Sequence, residues 1–193
     1  MVINNYDIIK DFIDFGPDDF YFMQILKRRK ENPDMSKGEQ VIKSYFIDNH
    51  EYFEKKMPEI IQLCEDNNAR AYFNLNKRNY LFAAHDMITY INNSIRQGQP
   101  RNCKNAFEKM AGANRSDKDK KWILDIDTKI LEVIYPIQDF INGLKPNVEK
   151  TYLVLPTKNG YHIISKPFDP RTFKDQFPDV EIKKDNPTIL YIP

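Results

Sequence analysis

Trp122-Ile123-Leu124-Asp125-Ile126-Asp127 is a short apolar run carrying two aspartates one residue apart, and it restricts this chain more than any other stretch. Residues two apart on a strand point to the same face, so Asp125 and Asp127 stand side by side while Trp122, Leu124 and Ile126 face the other way. Burying an unpaired charge costs several kcal/mol, so packing gives no reason for a carboxylate pair at the end of such a run. A divalent ion such as Mg²⁺ or Mn²⁺, which takes oxygen ligands, would remove the repulsion. The plainer alternative is that Asp127 or Thr128 caps a following helix. That accounts less well for Asp125, which lies inside the strand.

The remaining composition narrows the class. A chain of 193 residues with 41% hydrophobic and 13% aromatic content can fill a core. Lys and Arg number 29 against 28 Asp and Glu, so any attraction for phosphate must be local rather than global. Cys64 and Cys103 are far apart and belong to no metal motif, which leaves them as reduced thiols. The first residues lack a basic region followed by an apolar core, and no apolar run approaches the ~20 residues that span a bilayer. A cytoplasmic location with no membrane partner is expected.

Ser36-Lys37-Gly38-Glu39 and Asp48-Asn49-His50-Glu51 have the form of capping boxes, and Pro58 suits the first turn of a helix. They predict three short helices between residues 36 and 65, hence a helical N-terminal region (1–65) packed on a mixed core (66–193). Residues 70–76 alternate as a strand does. Leu81, Ala84, Ile88, Ile91 and Ile95 recur at helical spacing, with Gly98 and Pro100 as a stop. Cys103, Phe107 and Met110 continue into a shorter helix, and residues 114–120 form a loop leading into the aspartate strand. A helical face runs from Ile130 through Ile134, Ile137, Phe140 and Ile141 to Leu144, with Pro136 bending it.

Tyr152 to Leu155 and Tyr161 to Ser165 are strands joined by Asn159-Gly160, a strong hairpin signal when both central residues adopt positive φ. A tight turn there pairs Lys158 with Tyr161 and Thr157 with His162. A short helix within residues 168–177 and strands at 180–183 and 188–191 complete the chain. The fold class is α+β, with helices mostly on one face of the sheet.

Three histidines are present. His50 and His85 read as surface or structural residues, whereas His162 keeps the company of a hydroxyl (Thr157), a lysine (Lys158) and a glycine turn, which together can hold a phosphate or a sugar hydroxyl. Arg70 begins a strand and could reach a triphosphate or a template, with a salt bridge the equal alternative. Lys27-Arg28-Arg29-Lys30 would attract a nucleic-acid backbone or simply end a helix in solvent. Tyr72 and Phe73 offer base stacking or core packing.

Asp125 and Asp127, the turn from Thr157 to His162, and the acidic stretch from Asp179 to Asp185 before a last apolar strand closed by Pro193 resemble the archaeo-eukaryotic primase and primase-polymerase superfamily. The resemblance covers roughly residues 120–193. It implies an RRM-like sheet and metal-dependent nucleotidyl transfer with Mg²⁺ or Mn²⁺ on Asp125, Asp127 and Asp179, with Asp185 the alternative third carboxylate. His162, Thr157, Lys158 and Arg70 would then hold a nucleoside triphosphate opposite a single-stranded template, with a separate helicase or replication protein as partner. Two other functions use the same residues. One is a two-metal nuclease, the other a single-strand-binding module on this fold that has lost the reaction.

Overall fold

The computed structural model describes residues 2–36, 38–113 and 120–193. The loop expected at 114–120 falls mostly outside these residues. Among the described residues ten strands form two sheets in which every pairing is antiparallel.

The first sheet has the order β1 (Ile3–Asn4), β10 (Thr188–Ile192), β4 (Arg70–Phe73), β2 (Asp19–Lys27), β3 (Gln40–Ile47), and β5 (Arg78–Asn79) pairs with the start of β2. The second has the order β7 (Thr151–Pro156), β8 (Tyr161–Ser165), β6 (Trp122–Ile126), β9 (Glu181–Lys183). The α+β class holds. The division at residue 65 does not, because β4 and β10 lie in one sheet with β2 and β3.

The first third is therefore not mainly helical. Tyr21, Met23 and Ile25 of β2 share a core with Phe53, Met57, Ile60 and Cys64 of α2 (His50–Asn67), while Phe20 and Phe22 cluster with Ala83 of α3 (Tyr80–Arg96) and with Phe107 and Ala111 of α4 (Ala106–Ala113). A strand covered on both faces loses its alternation and reads as a continuous apolar run. Of the two capping boxes, only the second marks a helix start. Asn49 is the N-cap, its Oδ1 accepting from the Tyr52 amide at 2.7 Å, and Pro58 lies inside the single long helix that follows.

α3 starts at the Asn79 cap, which the sequence reading did not single out, and ends before Gly98, whose φ is +69°, where the sequence predicts a stop. Its apolar stripe faces outward, however. Leu81, Ile88 and Ile95 are exposed, and the helix buries Ala83 and Ser94 instead. Pro136 sits in the first turn of α5 (Ile134–Gly143), after a 3₁₀ turn at Leu131–Val133, where its missing N–H disturbs no helical bond.

The aspartate strand has the expected apolar face, but it ends at Ile126, so Asp127 follows β6 rather than standing beside Asp125 within it. Trp122, Leu124 and Ile126 pack with Ile134, Ile137 and Ile141 of α5 and with Phe173 of α6 (Arg171–Gln176). Ile123, with Leu155 and Ile164, joins the core of the first sheet. Buried Asn5 strengthens this junction, its Nδ2 donating to the carbonyls of Pro156 (3.1 Å) and Ile189 (2.9 Å), one in each sheet. Both cysteines are free, and burial pushes the Cys64 thiol up to about 12. Among the described residues no helix is long and apolar enough to cross a membrane.

Candidate functional site

The pairing of β6 decides where its charges go. Asp125 stands opposite His162 on β8 and opposite Glu181 on β9, and residues directly opposite on antiparallel strands lie on one face within reach of each other. His162 Nε2 is 3.3 Å from Asp125 Oδ1. Lys183 Nζ is 2.5 Å from Asp125 Oδ2 and 3.4 Å from Glu181 Oε2. Because an ionised carboxylate only accepts, a hydrogen bond to Asp125 requires a proton on Nε2 of His162, and Nδ1 lies 2.8 Å from the Thr188 hydroxyl. His162 is only 7% exposed, so both ring nitrogens are engaged inside the protein and the ring ties the second sheet to β10 of the first.

The His162 hydrogen bond, opposed by burial and reinforced by Lys183, holds the Asp125 carboxyl down at about 2, against an ordinary value of 3.8. A depressed folded-state value means that ionised Asp125 stabilises the fold above pH ~3.8, and that this contribution disappears as pH falls through about 2. It amounts to about 2 kcal/mol. Asp125→Asn is expected to lower stability by that amount at pH 7. Urea denaturation should show the gap between variant and wild type narrowing steadily from pH 4 to pH 2.

Asp125, Asp127, Arg70, Thr157, Lys158 and His162 all line one cleft of about 410 Å³, together with Arg28, Lys30, Tyr72 and Ile189. The side chains expected to grip a nucleotide therefore do meet, but most of them hold each other. Glu31 bridges Arg70 and Lys158, with Lys158 Nζ at 2.9 Å. Burial opposes the charge on Glu31, yet the two cations outweigh it and keep its carboxyl below the usual range. Arg28 donates to the Tyr72 hydroxyl at 3.3 Å and pairs with Glu39 at 3.2 Å.

The hairpin is two residues longer than expected. Leu155 pairs with His162 and Pro156 with Tyr161, so Thr157 to Gly160 form the turn. The Thr157 amide donates to the Gly160 carbonyl at 2.8 Å, and Thr157 Oγ1 accepts from the Gly160 amide at 3.1 Å. Neither Asn159 nor Gly160 has positive φ. The glycine is required for a different reason: a Cβ there would overlap the Ile126 carbonyl oxygen and lie 2.7 Å from the amide nitrogen and carbonyl oxygen of Thr128.

Neither candidate for a third carboxylate joins Asp125. Asp179 is exposed and lines a separate hollow with Val133, Ile137 and Phe177, whose rim it shares with Asp127. Asp185 is committed to the buried guanidinium of Arg78, at 3.3 Å, and to Asn76 Nδ2, at 3.0 Å. Among the described residues no three His, Cys, Asp or Glu side chains come together in a way that would hold a metal ion. With both Asp125 oxygens facing N–H donors, the side chains as arranged do not fit a two-metal clamp.

Lys183, Glu181, Thr188 and Glu31 escaped the sequence reading. A signal did exist for two of them, since Glu181 and Lys183 are two apart on a strand and must share a face. What was missing was the strand they pair with. Comparison with protein-family models, with curated proteins and with solved structures finds no match for this chain.

Proposed function

We propose that the cleft between the two sheets binds the phosphates of single-stranded nucleic acid, on a frame of the primase-polymerase type, with no reaction assigned to it. The observation that carries this reading is the facing of Arg28 and Lys30, at the end of β2, with Lys158 and Lys183 of the second sheet across one cleft, with Tyr72 on its wall. Five Lys and Arg line it against three carboxylates, Glu39, Asp125 and Asp127. Glu31 at the edge of the cleft pairs with Arg70 and Lys158, and Glu181 with Lys183, so a phosphate chain would take these cations in exchange for their carboxylates, in a protein whose net charge is only +1. Tyr72 adds an aromatic ring of the kind on which bases stack.

The test is fluorescence anisotropy of a labelled single-stranded oligonucleotide in EDTA across about 50 to 200 mM salt, where phosphate binding weakens steeply. Lys30→Ala plus Lys158→Ala should weaken binding and lower the salt slope by about 1.4, the value for two lost contacts on a single strand. Binding indifferent to salt and to both lysines would sink the proposal.

A second reading, nucleotidyl transfer at the same cleft, rests on Asp125, Asp127 and His162 lining it together, and requires His162 and Lys183 to give up Asp125 to a metal ion. Its expected sign is template-dependent extension with Mg²⁺ or Mn²⁺ and labelled nucleotides, lost in Asp125→Ala plus Asp127→Ala. Absence of extension with the wild type leaves binding as the function.

A further inference from the structure

We infer that Lys183 is the resident cation of this cleft, taking at Asp125 the place that a divalent ion would otherwise take, so that phosphate is met there by N–H donors without a metal bridge. The inference rests on the reading of the cleft as a phosphate site. Its basis is the register of β9 on β6. Asp125 lies opposite Glu181 and Ile123 opposite Lys183, which puts two carboxylates and one ammonium on a single face. Left alone, Asp125 and Glu181 would repel each other and attract a cation. The Lys183 ammonium supplies it, at 2.5 Å from Asp125 and 3.4 Å from Glu181. The remaining Asp125 oxygen faces His162 Nε2 at 3.3 Å, so both oxygens already have donors.

The position is enclosed enough for this to matter. The side chains of Asp125 and Lys183 are 17% and 24% exposed, so solvent screens the pair only in part. An arriving divalent ion would have to approach against the ammonium and displace it from the carboxylate. A phosphate would instead be attracted by the ammonium groups of Lys183 and Lys158, which line the cleft, in exchange for their contacts with Asp125 and Glu31.

The assignment predicts a gain of function on removing the lysine. Mn²⁺ alone is titrated into the full chain and free Mn²⁺ is read by its paramagnetic resonance signal. Wild type and Lys183→Arg, which keeps the charge, should bind weakly. Lys183→Met, which keeps the length without the charge, should bind at least about tenfold more tightly, because the uncompensated carboxylates then attract the ion. Adding Asp125→Asn to Lys183→Met should abolish the gain. Near-ultraviolet circular dichroism checks that Lys183→Met is folded, and Lys183→Gln serves as a second neutral variant.

Mn²⁺ uptake by the wild type as tight as by Lys183→Met, or no gain in either neutral variant, would overturn the inference. Oligonucleotide binding in EDTA is measured on the same samples. If the Mn²⁺ gain appears while the oligonucleotide fails to bind, the phosphate-site reading falls and the role of Lys183 stands. The reverse pattern removes Lys183 as the resident cation and leaves the phosphate site.

Discussion

Gly160→Ala is expected to destabilise the protein by about 3 kcal/mol, at the upper end of what added atoms do in a packed interior. The new methyl group would meet the carbonyl of Ile126 and the backbone of Thr128, and none of these atoms can rotate away as a side-chain end could. Relief requires the turn from Thr157 to Gly160 to lift off the end of β6. Because β8 begins at Tyr161, that movement pulls His162 out of register with Asp125 and weakens its contact with Thr188. The variant should therefore lose cleft geometry as well as stability, visible as a lower urea midpoint together with a diminished acid dependence assignable to Asp125. Asn159→Ala, one residue earlier and exposed, is the control and should stay within about 0.5 kcal/mol of wild type. A Gly160→Ala protein as stable as that control would show that the hairpin does not press on β6 as described.

The same turn illustrates what was legible in advance. Asn159-Gly160 marks a reversal between two alternating runs, and the reversal is there, but its expected mechanism, positive φ, is replaced by a close backbone approach that only the folded neighbour β6 reveals. The register of β7 on β8 differs from the expected one by two residues, an even number, so side chains kept their faces, while the pairing of His162 with Asp125 is set separately by β6 on β8. β6 itself was readable because helices cover one of its faces and the cleft lies on the other. β2 and β3 were not, since β2 is buried on both sides and a four-residue capping pattern such as Ser36 to Glu39 arises readily without a helix behind it.

The acidic third partner was illegible for a different reason. Which strand lies beside β6 depends on sheet order, a long-range property, so the resemblance pointed to Asp179 or Asp185 while Glu181 and Lys183 occupy the position.

Asp185→Ala should be among the most damaging single substitutions in the protein, lowering stability by about 3 to 5 kcal/mol, the range for stripping the partner from a buried charge. Arg78 is 1% exposed, and its guanidinium donates to the carbonyls of Ala111 (3.0 Å) and Asn76 (3.2 Å) and to both oxygens of Asp185 (3.3 Å each). Asp185 is a carboxylate partner of this buried guanidinium, and removing such a partner from a buried charge is costly. Asn76 extends the network to the start of β6, accepting from the Lys121 amide at 2.7 Å and donating to the Lys121 carbonyl at 3.1 Å. Loss of Asp185 should therefore loosen the strand that carries Asp125 as well. Arg78→Met plus Asp185→Ala removes both charges and should recover part of the loss, giving a coupling of about 2 kcal/mol or more in a double-mutant cycle read by urea denaturation. A metal-binding role for Asp185 makes the opposite forecast: an unchanged midpoint in the absence of metal, and no coupling to Arg78.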